Sequence, residues 1–185
     1  MIYKIIAVTG LKRSGKDVVS EYISKRYGYN HVKISSKLKS IIKLTFDLTD
    51  EDVESNKKDL VNERLNVSPR RLMDFFGTHI FQYEINKIMP NVGRKFWIND
   101  LLENNTEPIV ISDLRFFHEV DELKKKSSCL ILRVNRECIG QDVNFVSEAE
   151  IKDLLVDYEL HNNSSISNLY LQVDQILNKE FNQKI

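Results

Sequence analysis

A seven-residue loop near the N-terminus limits what this chain can fold into more than any other stretch. Gly10-Leu11-Lys12-Arg13-Ser14-Gly15-Lys16 has the GxxxxGK spacing of a phosphate-binding loop. Tyr3 to Thr9 before it is a near-continuous apolar run, as in a strand buried on both faces of a parallel sheet. After it, Val18, Val19, Tyr22 and Ile23 recur at helical spacing until Gly28, a natural stop. Between a strand and a helix, the glycines let backbone amides turn inward on phosphates. The helix start adds free N–H groups and a positive dipole end, and Lys16 reaches the terminal phosphates. Asp17 follows, where the general motif has Ser or Thr. Its carboxylate is either a hard oxygen ligand for Mg2+ or a first-turn acid that stabilises the helix start.

The same alternation continues along the chain. His31 to Ile34 reads as a short strand, and Ser35 and Ser36 cap a helix through about Phe46. Asp47 to Val67 is polar with weak periodicity, a loop plus a short helix. Ser68-Pro69 starts a helix carrying Leu72, Met73, Phe75 and Phe76, and Arg94 to Leu102 is a further helix beyond Pro90. Pro108 to Ser112 is a buried strand ending in Asp113, Phe116 to Lys126 a helix, and Cys129 to Val134 a strand. Ser147 to Val156 is expected as a helix behind a Ser147/Glu150 capping box, Tyr158 to His161 as a strand, and Ser165 to Phe181 as the terminal helix. Five strands alternating with helices predict an α/β three-layer sandwich of the P-loop NTPase kind, with a parallel five-stranded sheet covered on both faces. Ligands of such sheets bind at the carboxyl ends of the strands, where Gly10, Asp113 and Arg133 all fall.

Composition removes other classes. The 185 residues fit one domain, and 27 Lys plus Arg balance 27 Asp plus Glu, which argues against stable nucleic-acid binding. No segment approaches the roughly 18 apolar residues of a membrane span. Cys129 and Cys138 are too few for a disulfide scaffold, so free thiols and a cytoplasmic location are expected. The four histidines lack metal-ligand spacing, and no GxSxG elbow is present.

The remaining signals concern phosphate transfer. Asp113 at a strand end matches a Walker-B-like acid facing Mg2+, although an Asp there also caps helices. Arg70, Arg71, Arg115, Arg133 and Arg136 supply forks suited to phosphate oxygens. Asn56-Lys57-Lys58-Asp59 spells the guanine-reading NKxD, but no apolar strand precedes it, and it reads as a solvated charged segment.

GLKRSGKD, SPRRLMDFFGTH, the isolated Trp97, VISDLRFFHEVDEL, FVSEAE and HNNSSISNL occur in this order across most of the chain. The combination resembles deoxynucleoside monophosphate kinases of the T-even bacteriophage type, a branch of the nucleoside monophosphate kinase fold. The resemblance implies one P-loop domain over 1–185, with an NMP-binding insertion at about 36–104 and a lid at about 135–148. It implies transfer of the ATP γ-phosphate to a small-molecule acceptor, a deoxynucleoside monophosphate, dTMP or dGMP first, with Mg2+ as the ion and a homodimer as in the phage relatives. Gly10, Lys12, Arg13, Ser14, Gly15, Lys16 and Asp17 would hold ATP and its metal, with Asn162 near the ATP base. Arg70, Arg71, Gly77, Thr78, Trp97, Asp113 and Arg115 would bind the acceptor, and Asp17 and Asp113 would face the metal. Lys12, Lys16, Arg133 and Arg136 would be catalytic, the last two as lid or transition-state arginines.

The chain departs from the family pattern at Val18 for Thr, His79 for Asp, Phe145 for His and Ser164 for Gly. Two other readings share the loop: a phosphomevalonate kinase-like enzyme, whose acceptor carries no base, and a nucleotide-binding protein without catalysis. Phe75, Phe76 and Trp97 near the acceptor would favour a nucleotide. Six of the nine arginines fall in the phosphate-handling blocks, so zero net charge is expected to hide a local basic pocket, with the compensating acids elsewhere.

Overall fold

The computed structural model describes residues 3–90, 92–105, 108–137 and 150–182. Five strands, β1 (Ile5–Thr9), β2 (Asn30–Val32), β3 (Ile109–Leu114), β4 (Cys129–Asn135) and β5 (Tyr158–His161), form one sheet in the order β2-β3-β1-β4-β5. Every pairing is parallel. The described residues also form the α-helices α1 (Lys16–Tyr27), α2 (Ser36–Phe46), α3 (Asp50–Glu54), α4 (Pro69–Asp74), α5 (Phe96–Glu103), α6 (Phe117–Lys126) and α7 (Ile166–Asn182).

The central strand shows why its sequence is apolar throughout. Alternate side chains of β1 point to opposite faces, and all five residues are buried. Ile5 and Ala7 join a core with Leu38 and Ile42 of α2, Ile98 and Leu101 of α5, and Leu123 of α6. Ile6 and Val8 join a second core with Val19 and Ile23 of α1 and Leu169, Val173 and Leu177 of α7. Each fully buried aliphatic side chain contributes about 1.5–3 kcal/mol over its exposed state, so both layers are needed to offset the ordering of the sheet.

Register brings the functional loops together. Thr9 stands opposite Leu114 on one side and Arg133 on the other. Its hydroxyl donates to the Leu114 carbonyl at 2.8 Å. The loop after β1 is thereby level with Asp113 to Arg115 and with Arg133 to Arg136.

Two elements differ from expectation. Ser68 accepts from the Arg71 amide at 3.3 Å and Pro69 opens α4, as the sequence suggests. The helix then widens into a π-helix over Phe75–Tyr83, which no pattern in the sequence announces. The described part of the expected Ser147 to Val156 helix, residues 150–156, is not α-helical. Ser147 lies outside the described residues, and Ile151–Asp153 is a single 3-10 turn after which Leu154 becomes extended, with ψ of 134°. Glu150 does not cap it; its oxygens accept from Arg94 at 3.2 Å and from the Phe117 amide at 2.8 Å. The Ile151 and Leu154 carbonyls accept from the Arg133 guanidinium, so they are unavailable to a continuing helix. Cys138, Phe145 and most of the expected lid lie outside the described residues. Among the described residues no helix is long and apolar enough to cross a membrane.

Candidate active site

The loop between β1 and α1 is held in a conformation that requires its glycines. Gly10 and Gly15 have φ of +148° and +106°. A Cβ on Gly10 would stand 2.6 Å from the Val134 carbonyl oxygen, and one on Gly15 would stand 2.5 Å from Asn162 Nδ2. Arg13 is left-handed too, with φ of +67°, a conformation costing roughly 1–2 kcal/mol outside glycine. Hydrogen bonds on both sides fix it: the Ser14 amide donates to the Leu11 carbonyl at 3.1 Å, Asn162 Nδ2 to the Ser14 carbonyl at 2.8 Å, and Arg136 to the Arg13 carbonyl at 3.4 Å. Lys16 folds its ammonium back on the Leu11 carbonyl at 3.4 Å.

This one loop forms a wall of two cavities. The first, of about 450 Å³, takes Lys12, Arg13, Lys16 and Asp17 from the loop and continues past Arg70, Gly77, Thr78, Trp97, Asp113 and Arg115. The second, of about 380 Å³, takes Gly10, Leu11 and Ser14 and is closed by Arg133, Arg136, His161 and Asn163. Thus the structure gathers almost all the residues singled out from the sequence around one loop, divided into two groups. Arg71 is exposed and lines neither cavity.

Several of these residues are already engaged. Both oxygens of Asp113 accept backbone amides, from Ile34 at 2.7 Å and Ser35 at 3.0 Å, so its carboxylate fixes the entry to α2. Arg133 and Arg136, paired in the sequence reading, part company. The Arg133 guanidinium donates to Glu159 at 2.9 Å and to two carbonyls of the 151–154 turn, whereas Arg136 reaches the phosphate loop. Asn162 supports the loop from behind, and Asn163 is the residue in the cavity wall. Trp97 lines the first cavity, but its indole N–H is spent on the Gly77 carbonyl at 3.0 Å, and its ring packs 4.5 Å from Phe81. Phe75 and Phe76 do not line that cavity, and neither does His79, which is exposed.

Charge in the first cavity is more mixed than expected. Asp17 pairs with Lys33 at 2.8 Å. Burial alone would raise its carboxyl, but Lys33 and then Lys16 outweigh burial and hold it below the usual carboxylate range. The Ser112 hydroxyl lies near enough to favour the ionised Asp17, yet makes no hydrogen bond of full geometry. Asp59 bridges Lys12, at 3.1 Å, and Arg70, which binds both its oxygens. Arg70 above all, with Lys12, brings the Asp59 carboxyl down to about 2. Glu119 also lines this cavity; complete burial pushes its carboxyl up to about 8, while the amides of Arg115 and Phe116 donate to it at 2.8 and 3.0 Å.

Sequence reasoning missed Lys33, Asp59, Gln82 and Glu119, which also line the larger cavity. Lys33 sits just past β2, so the strand-end rule that selected Asp113 applies to it equally. Asp59 falls within the NKxD letters, and a polar stretch gives no sign of which carboxylate turns inward. Gln82 and Glu119 carry no motif; only burial distinguishes them.

A parallel sheet with this loop and paired cavities defines a phosphate-loop kinase fold. Among solved structures, dephospho-CoA kinase from Campylobacter jejuni superposes with a TM-score of 0.52 at 14% identity, covering 98% of this chain and 99% of that one. Shikimate kinase from Aquifex aeolicus gives 0.51 at 12%, covering 95% and 97%. The family described as deoxynucleotide monophosphate kinase matches residues 4–66 and 48–173, so the chain belongs to that family and is an ATP-dependent phosphotransferase. A protein of Acanthamoeba polyphaga mimivirus named "Putative deoxynucleotide monophosphate kinase" is 29% identical over 91% of this chain and 93% of its own length.

Proposed function

We propose that this protein transfers the γ-phosphate of ATP to the phosphate of a deoxynucleoside monophosphate, with dTMP and dGMP as preferred acceptors. The observation that carries this reading is the shared wall: one phosphate loop separates a cavity with Arg136, His161 and Asn163 from one with Arg70, Thr78, Trp97 and Arg115. The smaller cavity suits the ATP base and the larger one the acceptor, so that their phosphates meet along Lys12 to Asp17.

Such chemistry needs positioning and charge compensation rather than a strong base. An oxygen of the acceptor phosphate forms the new bond to the γ-phosphorus as the bond to the bridging oxygen of ADP breaks. Lys16 swings from the Leu11 carbonyl to the phosphates, Arg136 steadies the loop and the developing charge, and Arg70 and Arg115 hold the acceptor phosphate. The Asp17 carboxylate and the Ser112 hydroxyl offer two hard oxygens beside Lys16, which fits Mg2+, an ion that keeps several waters and takes phosphates as further ligands. When bound, Mg2+ would neutralise charge on the transferring phosphoryl group. Asp113 would act on the metal only indirectly, by fixing the loop that carries Lys33.

A substrate panel tests this reading. With ATP and Mg2+, ADP release is expected with dTMP and dGMP and not with phosphomevalonate; release with phosphomevalonate alone would transfer the assignment to an acceptor without a base.

A further inference from the structure

The wall of the larger cavity that begins at Arg70 continues along a single helix. Arg70 and Asp74 lie in α4, and Thr78 and Gln82 lie in the π-helix that extends it; all four line the cavity at intervals of four residues. In an α-helix a step of four overshoots one turn by about 40°. The wider π-turn undershoots it, so the drift reverses at Phe75 and the four side chains stay in line. Two of them present a buried oxygen with no hydrogen-bond partner, Asp74 Oδ1 and Gln82 Oε1. Gln82 is only 2% exposed. Such atoms are costly unless a ligand or water supplies a donor. Among the described residues, the other buried unpartnered polar atom on this wall is Ser112 Oγ, beside Asp17 at the phosphate end. Beyond Arg70, therefore, the stripe presents two buried acceptors, Asp74 Oδ1 and Gln82 Oε1, that lack a donor.

We propose that this stripe reads the acceptor from phosphate to base, with Arg70 on the phosphate and Gln82 as the specificity-determining contact to the base. Gln82 Oε1 accepts the ring N–H of thymine (N3–H) or guanine (N1–H), and the amide nitrogen donates to the adjacent base carbonyl. Cytosine and adenine carry a bare ring nitrogen at that position and leave the buried oxygen without its donor. From Arg70 to Gln82 the stripe spans roughly 15 Å, enough for the phosphate-to-base length of a mononucleotide. The inference rests on the deoxynucleoside monophosphate reading given above.

The test compares dTMP with N3-methyl-dTMP, and dGMP with the monophosphate of 2-aminopurine deoxyriboside, which lacks N1–H without added bulk. The wild-type protein should favour the N–H-bearing member of each pair by about 100-fold in kcat/KM. Gln82→Met, close in volume, and Gln82→Ala, which makes room for the methyl group, should each reduce that ratio below about fivefold while leaving the KM for ATP unchanged. A merely structural role would lower the melting temperature or overall turnover and leave the ratio intact. Turnover of all four deoxynucleotides with no effect of the N–H in the wild-type protein, or an equal ratio in wild type and both variants, would overturn the Gln82 assignment and leave the kinase reading standing. Absence of ADP release with every deoxynucleotide would overturn the kinase reading as well.

Discussion

At the scale of single residues, the cleft holds two carboxyl groups in opposite electrical states. Asp59 is brought down to about 2 by Arg70 and Lys12. Its folded value lies below the unfolded one, so its contribution to stability is present above about pH 4 and is lost as the pH falls through about 2. It is therefore ionised near neutral pH, and on the proposed function it competes with phosphate for the same two cations. A partly exposed pair of this kind is worth about 0.2–1 kcal/mol, so Asp59→Asn should lower the acceptor KM by about 1.4- to fivefold, measured at saturating ATP. An increase in KM would mean that Asp59 positions these cations instead of competing for them. Glu119 has the opposite sign. Its folded value, about 8, exceeds the unfolded one, so the folded protein keeps a proton that the unfolded chain releases between about pH 4.5 and 8. Stability should fall as pH rises through that window, and Glu119→Gln should flatten the loss. Melting temperatures at pH 6 and pH 9 check this, with the wild type expected to lose roughly 5 °C more than the variant.

At the scale of elements, the phosphate-loop unit and the five strands are legible in the sequence because short-range patterns define them: an apolar run, glycines at fixed offsets, then helical spacing. The π-helix is not, since Phe75 to Tyr83 has no composition that separates a five-residue hydrogen-bond ladder from a four-residue one. The roles of paired residues are equally hidden. Arg133 and Arg136 look alike on paper, and only the tertiary fold gives Arg133 to Glu159 and the 151–154 turn. Arg133→Met should thus lower the melting temperature by several degrees, whereas Arg136→Met should leave it unchanged and lower kcat about 10-fold or more. Equal kinetic defects with unchanged stability would contradict this division. Gly77 shows how the π-helix is seated: a Cβ there would stand 2.5 Å from Leu38 Cδ2 of α2. Gly77→Ala should displace the Leu38 side chain, which lines the same cavity, and raise the acceptor KM about 10-fold, with ATP affinity unaffected in a direct binding titration.

At the scale of the whole molecule, the balance of 27 basic and 27 acidic residues resolves differently from the sequence reading. The larger cavity is not a basic pocket with its acids elsewhere. Asp17, Glu54, Asp59, Asp74, Asp113 and Glu119 line it together with eight Lys and Arg side chains. Several carboxylates hold cations in place, at Lys33, Lys12 and Arg70, and Asp113 holds backbone. On the proposed function, these carboxylates hold the phosphate-binding cations in place at the carboxyl edge of the sheet, where three strand ends are level, and the helix that continues from Arg70 reads the sugar and base. The proposed function requires that the two cavities exchange a phosphoryl group across the shared loop. Its most direct measurement is phosphorus NMR of a reaction containing ATP, Mg2+ and dTMP or dGMP. dTDP or dGDP and ADP are expected to appear in a one-to-one ratio without inorganic phosphate. ADP and inorganic phosphate without any deoxynucleoside diphosphate would contradict it.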